Sequence, residues 1–189
     1  MGIYPSSVDQ VITENSPLGT DFLAQLQRDG EAAANPAVAA GIRVVHLRIP
    51  MVLGGPNLAM LAANMRRGFG RLGSGRQWCS WVSRDELASI IHFALGCEAV
   101  CGPINAVSPN PATNAEFTET FARILDCKPG LGMPAFVMRL MLGEMADALA
   151  LASRRIEPRK LLDAGYSFRF PDLETALRHE LAELHGEVK

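Results

Sequence analysis

The side chains whose types could do proton, thiol or metal chemistry are His46, His92, His179 and His185, Cys79, Cys97, Cys101 and Cys127, and the adjacent acids Asp85 and Glu86. Cys97 and Cys101 stand at the i, i+4 spacing that puts two thiolates on one helix face. No nearby histidine pair completes a four-ligand zinc set, and four irregularly spaced cysteines do not make a disulfide scaffold. Idle thiols are the expectation, and the histidines, lacking evident partners, are expected to be structural or exposed. Asp85 and Glu86 fall in a first helical turn, where carboxylates complement the helix dipole, so they read as caps rather than as an acid–base pair. Gly54 and Gly55 mark either a close backbone approach to a ligand or a plain turn before a helix. No Gly-x-Gly-x-x-Gly run, Walker loop, zinc helix or nucleophile elbow is present, so no self-contained catalytic motif can be named.

The elements that must position these groups alternate between helix and strand. A helix is predicted over 21–40, capped by Thr20 or Asp21 and weakened near Asn35 by Pro36, with a strand from Ile42 to Leu47 after Gly41. A helix from Asn57 to Phe69 has Arg66 and Arg67 near its end, where cations suit the dipole, with Arg71 just beyond. A strand from Gln77 to Val82 carries both tryptophans. Ser83 with Glu86, and Thr113 with Glu116, have the spacing of capping boxes, each opening a helix. Ile104 to Val107 reads as a strand. Pro134 opens a helix, and the Met-rich stretch Val137 to Leu151 is expected to pack against the body of the domain. Ser153 to Ala164 reads as a basic helix, Ser167 to Phe170 as an edge strand, and Leu173 to His185 as the terminal helix.

Composition bounds the partners. The chain has 189 residues, a net charge of −2 and 48% hydrophobic residues, with a pI near 6.1. That is neither a disordered chain nor the basic footprint of a nucleic-acid binder. No apolar run reaches the roughly 18 residues of a membrane span, and no secretory signal opens the chain, so a cytoplasmic protein is expected.

With the elements placed, several segments together resemble the C-terminal part of an extended short-chain dehydrogenase/reductase. The branch is the NAD-dependent epimerase/dehydratase-like family related to the bacterial cell-division inhibitor homologues. The segments are GIY at 2–4, TENSPLGTDFLAQLQRDGEAAA at 13–34, GIRVVHLRIPMVLGG at 41–55, LGSGRQWCSWVSRDEL at 72–87, GPINAVSPNPATNAEFTETFARIL at 102–125 and GEMADALALASRRIEPRKLLDAGYSF at 143–168. The resemblance implies an α/β fold, namely the C-terminal portion of a Rossmann-type doubly wound parallel sheet plus a small α/β substrate-binding region. It divides the chain into a Rossmann-like remnant over 1–56, with helix 21–40 and strand 42–48, and a substrate-binding region over 57–189.

The resemblance also implies NAD or NADP as cofactor. The family's glycine-rich phosphate turn has no counterpart here, so the chain alone is expected to bind a dinucleotide poorly. The family's active-site Ser or Thr falls at or beyond Met1. Its Tyr-x-x-x-Lys pair, in which the lysine lowers the tyrosine pKa, aligns with Leu23 and Gln27, and Glu31 holds the next matching helix position. Tyr4 is then the hydroxyl nearest the expected centre and the candidate catalytic residue. Pro50, Met51 and Gly54 correspond to the nicotinamide side, and Arg76, Gln77, Trp81, Ser83 and Arg155 to the substrate side.

Two functions of different classes follow. One is the substrate-binding half of an NAD(P)-dependent epimerase or reductase, transferring hydride on a sugar-like or small carbonyl substrate and incomplete without a complementing N-terminal Rossmann half. The other is a non-catalytic interaction module built on the same fold. A homodimer through the helix from Asp21 fits either, and an apolar sheet edge is expected around Ile42 to Leu47. A hydrolase is disfavoured because no nucleophile with a base can be named.

Overall fold

Asp21 starts the first long helix by accepting the Ala24 N–H on its carboxylate at 2.8 Å, as an N-cap should. A computed structural model describes residues 1–186. Its first elements are β1 (Val11–Ile12), α1 (Phe22–Ala32), α2 (Asn35–Ala39), β2 (Val45–Arg48), β3 (Met51–Leu53), α3 (Gly55–Arg66) and β4 (Phe69–Leu72). Then follow β5 (Trp78–Cys79), β6 (Trp81–Ser83), α4 (Arg84–Gly96), β7 (Gly102–Asn105), β8 (Ala112–Thr113), α5 (Asn114–Ile124) and β9 (Leu131–Met133). The chain continues through α6 (Ala135–Leu142), a π-helical turn at Ala146–Ala150, β10 (Arg155–Ile156), α7 (Arg159–Asp163) and α8 (Leu173–Gly186).

Four strand pairs are parallel, β1 with β10, β2 with β7, β3 with β6 and β4 with β9, while β5 pairs with β8 antiparallel. A parallel α/β architecture is what the helix-then-buried-strand pattern predicts. In β6, Trp81 points into one core with Leu53, Leu58, Phe117, Phe121 and Leu177, and Val82 into a second with Ile90, Ile104 and Leu161. Both faces of the β3–β6 pair are therefore apolar and covered. A third core holds Ile3, Tyr4, Ile12, Val107 and Ile156. β2 hydrogen-bonds to β7 on one side. On the other, Val45, His46 and Leu47 line a cavity of about 510 Å³ with Leu26, Gln27 and Glu31 of α1.

Several expectations need correction. The helix expected from Asn57 begins at Gly55, with Gly54 as N-cap. That helix ends at Arg66, so Phe69 stands in β4. No basic helix runs from Ser153. Pro158 removes an N–H and pushes its predecessor toward extended backbone, so β10 precedes Pro158 and only α7 follows it. Ser167 to Phe170 forms no strand, because the Arg169 and Phe170 N–H groups donate instead to the Glu86 carboxylate, each at 2.8 Å. Cys97 caps the end of α4, so Cys101 does not follow it on a helix. The Met-rich stretch is largely uncovered: Met138 and Ala146 are buried, but Leu140 is 85% exposed and Met141 67%.

Candidate functional site

Residues 153–156 are held on both sides by hydrogen bonds, and that fixes the side chain at their centre. The Ser153 N–H donates to Ser6 Oγ at 3.0 Å and the Ser7 N–H to the Ser153 carbonyl at 2.7 Å. On the other side the Arg154 N–H donates to the Trp78 carbonyl at 3.1 Å. The Ser80 hydroxyl donates to the Arg154 carbonyl at 2.9 Å and accepts the Ile156 N–H at 3.0 Å. Arg154 then directs Nε to the Tyr4 carbonyl at 2.8 Å and Nη1 to the Ala148 carbonyl at 3.2 Å. Its Nη2 makes no hydrogen bond among the described residues, and no carboxylate pairs with the guanidinium there. Burial pushes its pKa below the usual value, with the Asp21 charge pulling the other way.

Arg154 lines two cavities. The smaller, about 280 Å³, also takes in Pro50, Met51, Trp78, Cys79 and Leu149. The larger, about 640 Å³, is walled by Phe22, Leu23, Met145, Ala148 and Leu149 beside Ser6 and the carboxylates of Asp21, Glu144 and Asp147. A planar guanidinium with an open edge suits a carboxylate or phosphate oxygen. Cys79 supplies no nucleophile, because burial raises its thiol to about 11 and keeps it neutral.

The structure brings some of the sequence-predicted residues into this cleft and places others elsewhere. Pro50 and Met51 line the smaller cavity. Gly54 does not. It packs on α8, where a Cβ would come within 2.5 Å of Glu180 Oε2. Arg76 is exposed. Gln77 is buried and donates to the Leu72 carbonyl at 2.9 Å. Trp81 is fully buried and donates Nε1–H to the Asn110 carbonyl, and Ser83 accepts the Glu86 N–H as the N-cap of α4. Arg155, one position from Arg154 on an extended segment, places its guanidinium 4.8 Å from the centre of the Trp78 ring. Leu23 lines the larger cavity and Gln27 the one beside β2.

Tyr4 lies wholly inside the protein. Its hydroxyl donates to Asn105 Oδ1 at 2.8 Å and accepts from Arg48 Nη1 at 2.6 Å, while Arg48 makes a two-pronged contact with Glu31 at 2.8 and 2.9 Å. Burial raises the Tyr4 pKa against the opposing effect of Arg48. In this arrangement the hydroxyl meets protein groups only and has no path to solvent.

Sequence reading passed over two features. Arg154 was hidden because a helix was expected where Pro158 forbids one, and strand alternation is the sign that separates it from Arg155. His179, expected to lack a partner, bonds Asp85 through Nε2 at 2.8 Å and stacks on Phe170 at 4.4 Å. Asp85, His179 and Glu180 hold donor atoms within 4.8 Å of one another, as a metal site could. Arg84 Nε, however, sits 3.8 Å from both carboxylates, so a cation already occupies their field.

Residues 133–180 match the family model for a domain of unknown function, DUF1731. The chain is similar to the epimerase family protein ML0860 of Mycobacterium leprae, at 39% identity over 95% of this chain and 59% of that protein. It is also similar to the human epimerase family protein SDR39U1, at 32% identity over 95% of this chain and 62% of the relative. The chain thus spans about three-fifths of the curated relatives it matches. Human SDR39U1, isoform 2, solved with NADPH, superposes with a TM-score of 0.86 at 32% identity, covering 95% of this chain and 62% of that one. A nucleoside-diphosphate sugar epimerase from Corynebacterium glutamicum superposes at 0.79 with 34% identity, covering 96% of this chain and 36% of that one. UDP-glucose 4-epimerase of Thermotoga maritima, at 15% identity, 88% and 54% coverage and a TM-score of 0.66, shares the fold alone. Among the described residues no helix is long and apolar enough to cross a membrane.

Proposed function

We infer that this chain works as an epimerase-family protein, supplying the substrate-binding portion of an NAD(P)-dependent epimerase or reductase acting on a sugar-like or small carbonyl compound. The observation that carries this reading is the cleft around Arg154, where Pro50 and Met51, from the region assigned to the cofactor side, meet Trp78 and Ser80, sequence neighbours of the substrate-side Gln77 and Trp81. The superposition on a relative solved with NADPH supports it.

The residues present fit a nicotinamide in part. Pro50 and Met51 could flank the ring, whereas the place of Gly54 against Glu180 leaves it no part in holding one. No glycine-rich strand–turn–helix for a pyrophosphate occurs in the sequence. Bound there, the nicotinamide would exchange hydride with the substrate carbon. The chain's own contribution is to orient that substrate through Arg154 and to keep water from the apolar walls. Residues 1–56 and 57–189 are then the two sides of one cleft, and a complementing Rossmann half completes the cofactor site.

A second reading, a non-catalytic interaction module, is favoured by Leu23 and Gln27 standing where the resemblance puts tyrosine and lysine, and by the uncovered apolar face of α6. Titration with NADPH and NADH, followed by nicotinamide fluorescence, separates the two readings when the chain is compared with a version extended by an upstream Rossmann half. Binding by the extended version supports the oxidoreductase. Binding by neither, together with a stable dimer in light scattering, supports the module.

A further inference from the structure

We propose, resting on the reading of this cleft as the substrate site, that its substrate is a carbonyl compound with an apolar body and a single anionic group. Arg154 takes the anion, and the wall of Phe22, Leu23, Met145 and Leu149 takes the body. Three observations carry this.

Arg154 is shared by both cavities, held through Nε and Nη1 by two backbone carbonyls, with Nη2 left over. Carbonyls neutralise none of its charge, so the guanidinium is a fixed anion receptor rather than half of an ion pair.

Phe22, Leu23, Met145 and Leu149 give the larger cavity a wall of carbon and thioether, set beside the polar groups of Ser6, Asp21, Glu144, Asp147 and Arg154. Sugar hydroxyls set against that apolar wall would lose their water partners at a cost, whereas an acyl or aromatic body loses none.

The acids at the rim limit the charge. Asp147 is held by Arg139 at 2.9 Å, whereas Asp21, which caps α1 through a neutral N–H, and Glu144 keep their negative charges on the larger cavity. One anionic group on Arg154 is accommodated. A second, as in a sugar nucleotide, would face Asp21 and Glu144.

The test is calorimetric binding to the full chain at pH 7.5 of three probes: phenylpyruvate, its uncharged methyl ester, and glucose 6-phosphate. Phenylpyruvate is expected to bind at least tenfold more tightly than either of the others. R154M should abolish that preference. Because Arg154 also ties Tyr4 and Ala148, a second variant, Ala148→Phe, narrows the larger cavity while leaving Arg154 in place, and it should weaken phenylpyruvate tenfold or more. Circular dichroism checks that both variants fold. Tighter binding of glucose 6-phosphate, or phenylpyruvate binding that neither variant changes, or no binding of any probe, overturns the inference. NADPH titration of the extended version runs in parallel. NADPH binding without phenylpyruvate preference sinks this inference alone, and Arg154-dependent phenylpyruvate binding without NADPH binding sinks the oxidoreductase reading but keeps the anion site.

Discussion

The Arg48 guanidinium donates to the Tyr4 hydroxyl at 2.6 Å, and the same hydroxyl donates onward to Asn105, so one buried oxygen joins β2 to β7. Removing it strands a donor on one side and an acceptor on the other. Tyr4→Phe should therefore cost about 1–3 kcal/mol, the range for buried polar groups left unsatisfied, read from urea denaturation. If Tyr4 contributes only to this network, the affinity for phenylpyruvate should not move.

Glu86 is fully buried, yet three groups converge on it: the Tyr166 hydroxyl and the N–H groups of Arg169 and Phe170. Glu86→Ala leaves all three without an acceptor. A loss of about 3 kcal/mol or more is expected, since each stranded donor costs about 1–3 kcal/mol, measured as a shift of the denaturation midpoint at unchanged slope. A loss below about 1 kcal/mol would mean that water reaches the vacated space.

Gly54 has φ at +137°, and a Cβ there would lie 2.9 Å from Arg84 Cβ besides meeting the Glu180 carboxylate. Gly54→Ala should destabilise by about 1–3 kcal/mol from backbone strain alone, with the clash adding to that. Thermal melting checks it. A wild-type Tm would show that α8 can move aside without loss.

Burial raises the Glu180 carboxyl pKa above its ordinary value, against the pull of the Asp85 N–H that it accepts. A raised carboxyl pKa means the folded state holds the proton more tightly than the unfolded one. The resulting stability is fully present below the unfolded pKa and is lost as pH rises through the folded value. Glu180→Gln has no such dependence. The wild type should gain stability relative to E180Q as pH falls from 7 toward 4, and a difference that is flat or runs the other way refutes the assignment.

Local devices were readable from sequence because their partners lie within one turn. Thr113 and Glu116 form the full reciprocal capping box, and Asp21 caps α1 at its expected place. Ser83 shows the limit of that reading. It does cap Glu86, but the Glu86 side chain turns away to residues 80 and more positions distant. Arg154 and the Asp85–His179 pair were illegible for the same reason. The pair lies 94 residues apart in sequence, and the setting of Arg154 depends on the Tyr4 carbonyl, 150 positions away. The exposure of Leu140 and Met141 runs against their composition, since apolar content alone says nothing of whether a neighbour is there to cover it.

The contact between Gly54 and Glu180 also bears on how this sequence can diverge. A carboxylate reaching from the last helix fills the space that any side chain at 54 would need, so the two positions do not drift independently. Shortening residue 180 would remove the carboxylate but leave Arg84 Cβ and the positive φ in place, so a side chain at 54 stays strained until the Arg84 side and the local backbone change as well. Three features of this corner, and not one pair of residues, hold position 54 as glycine.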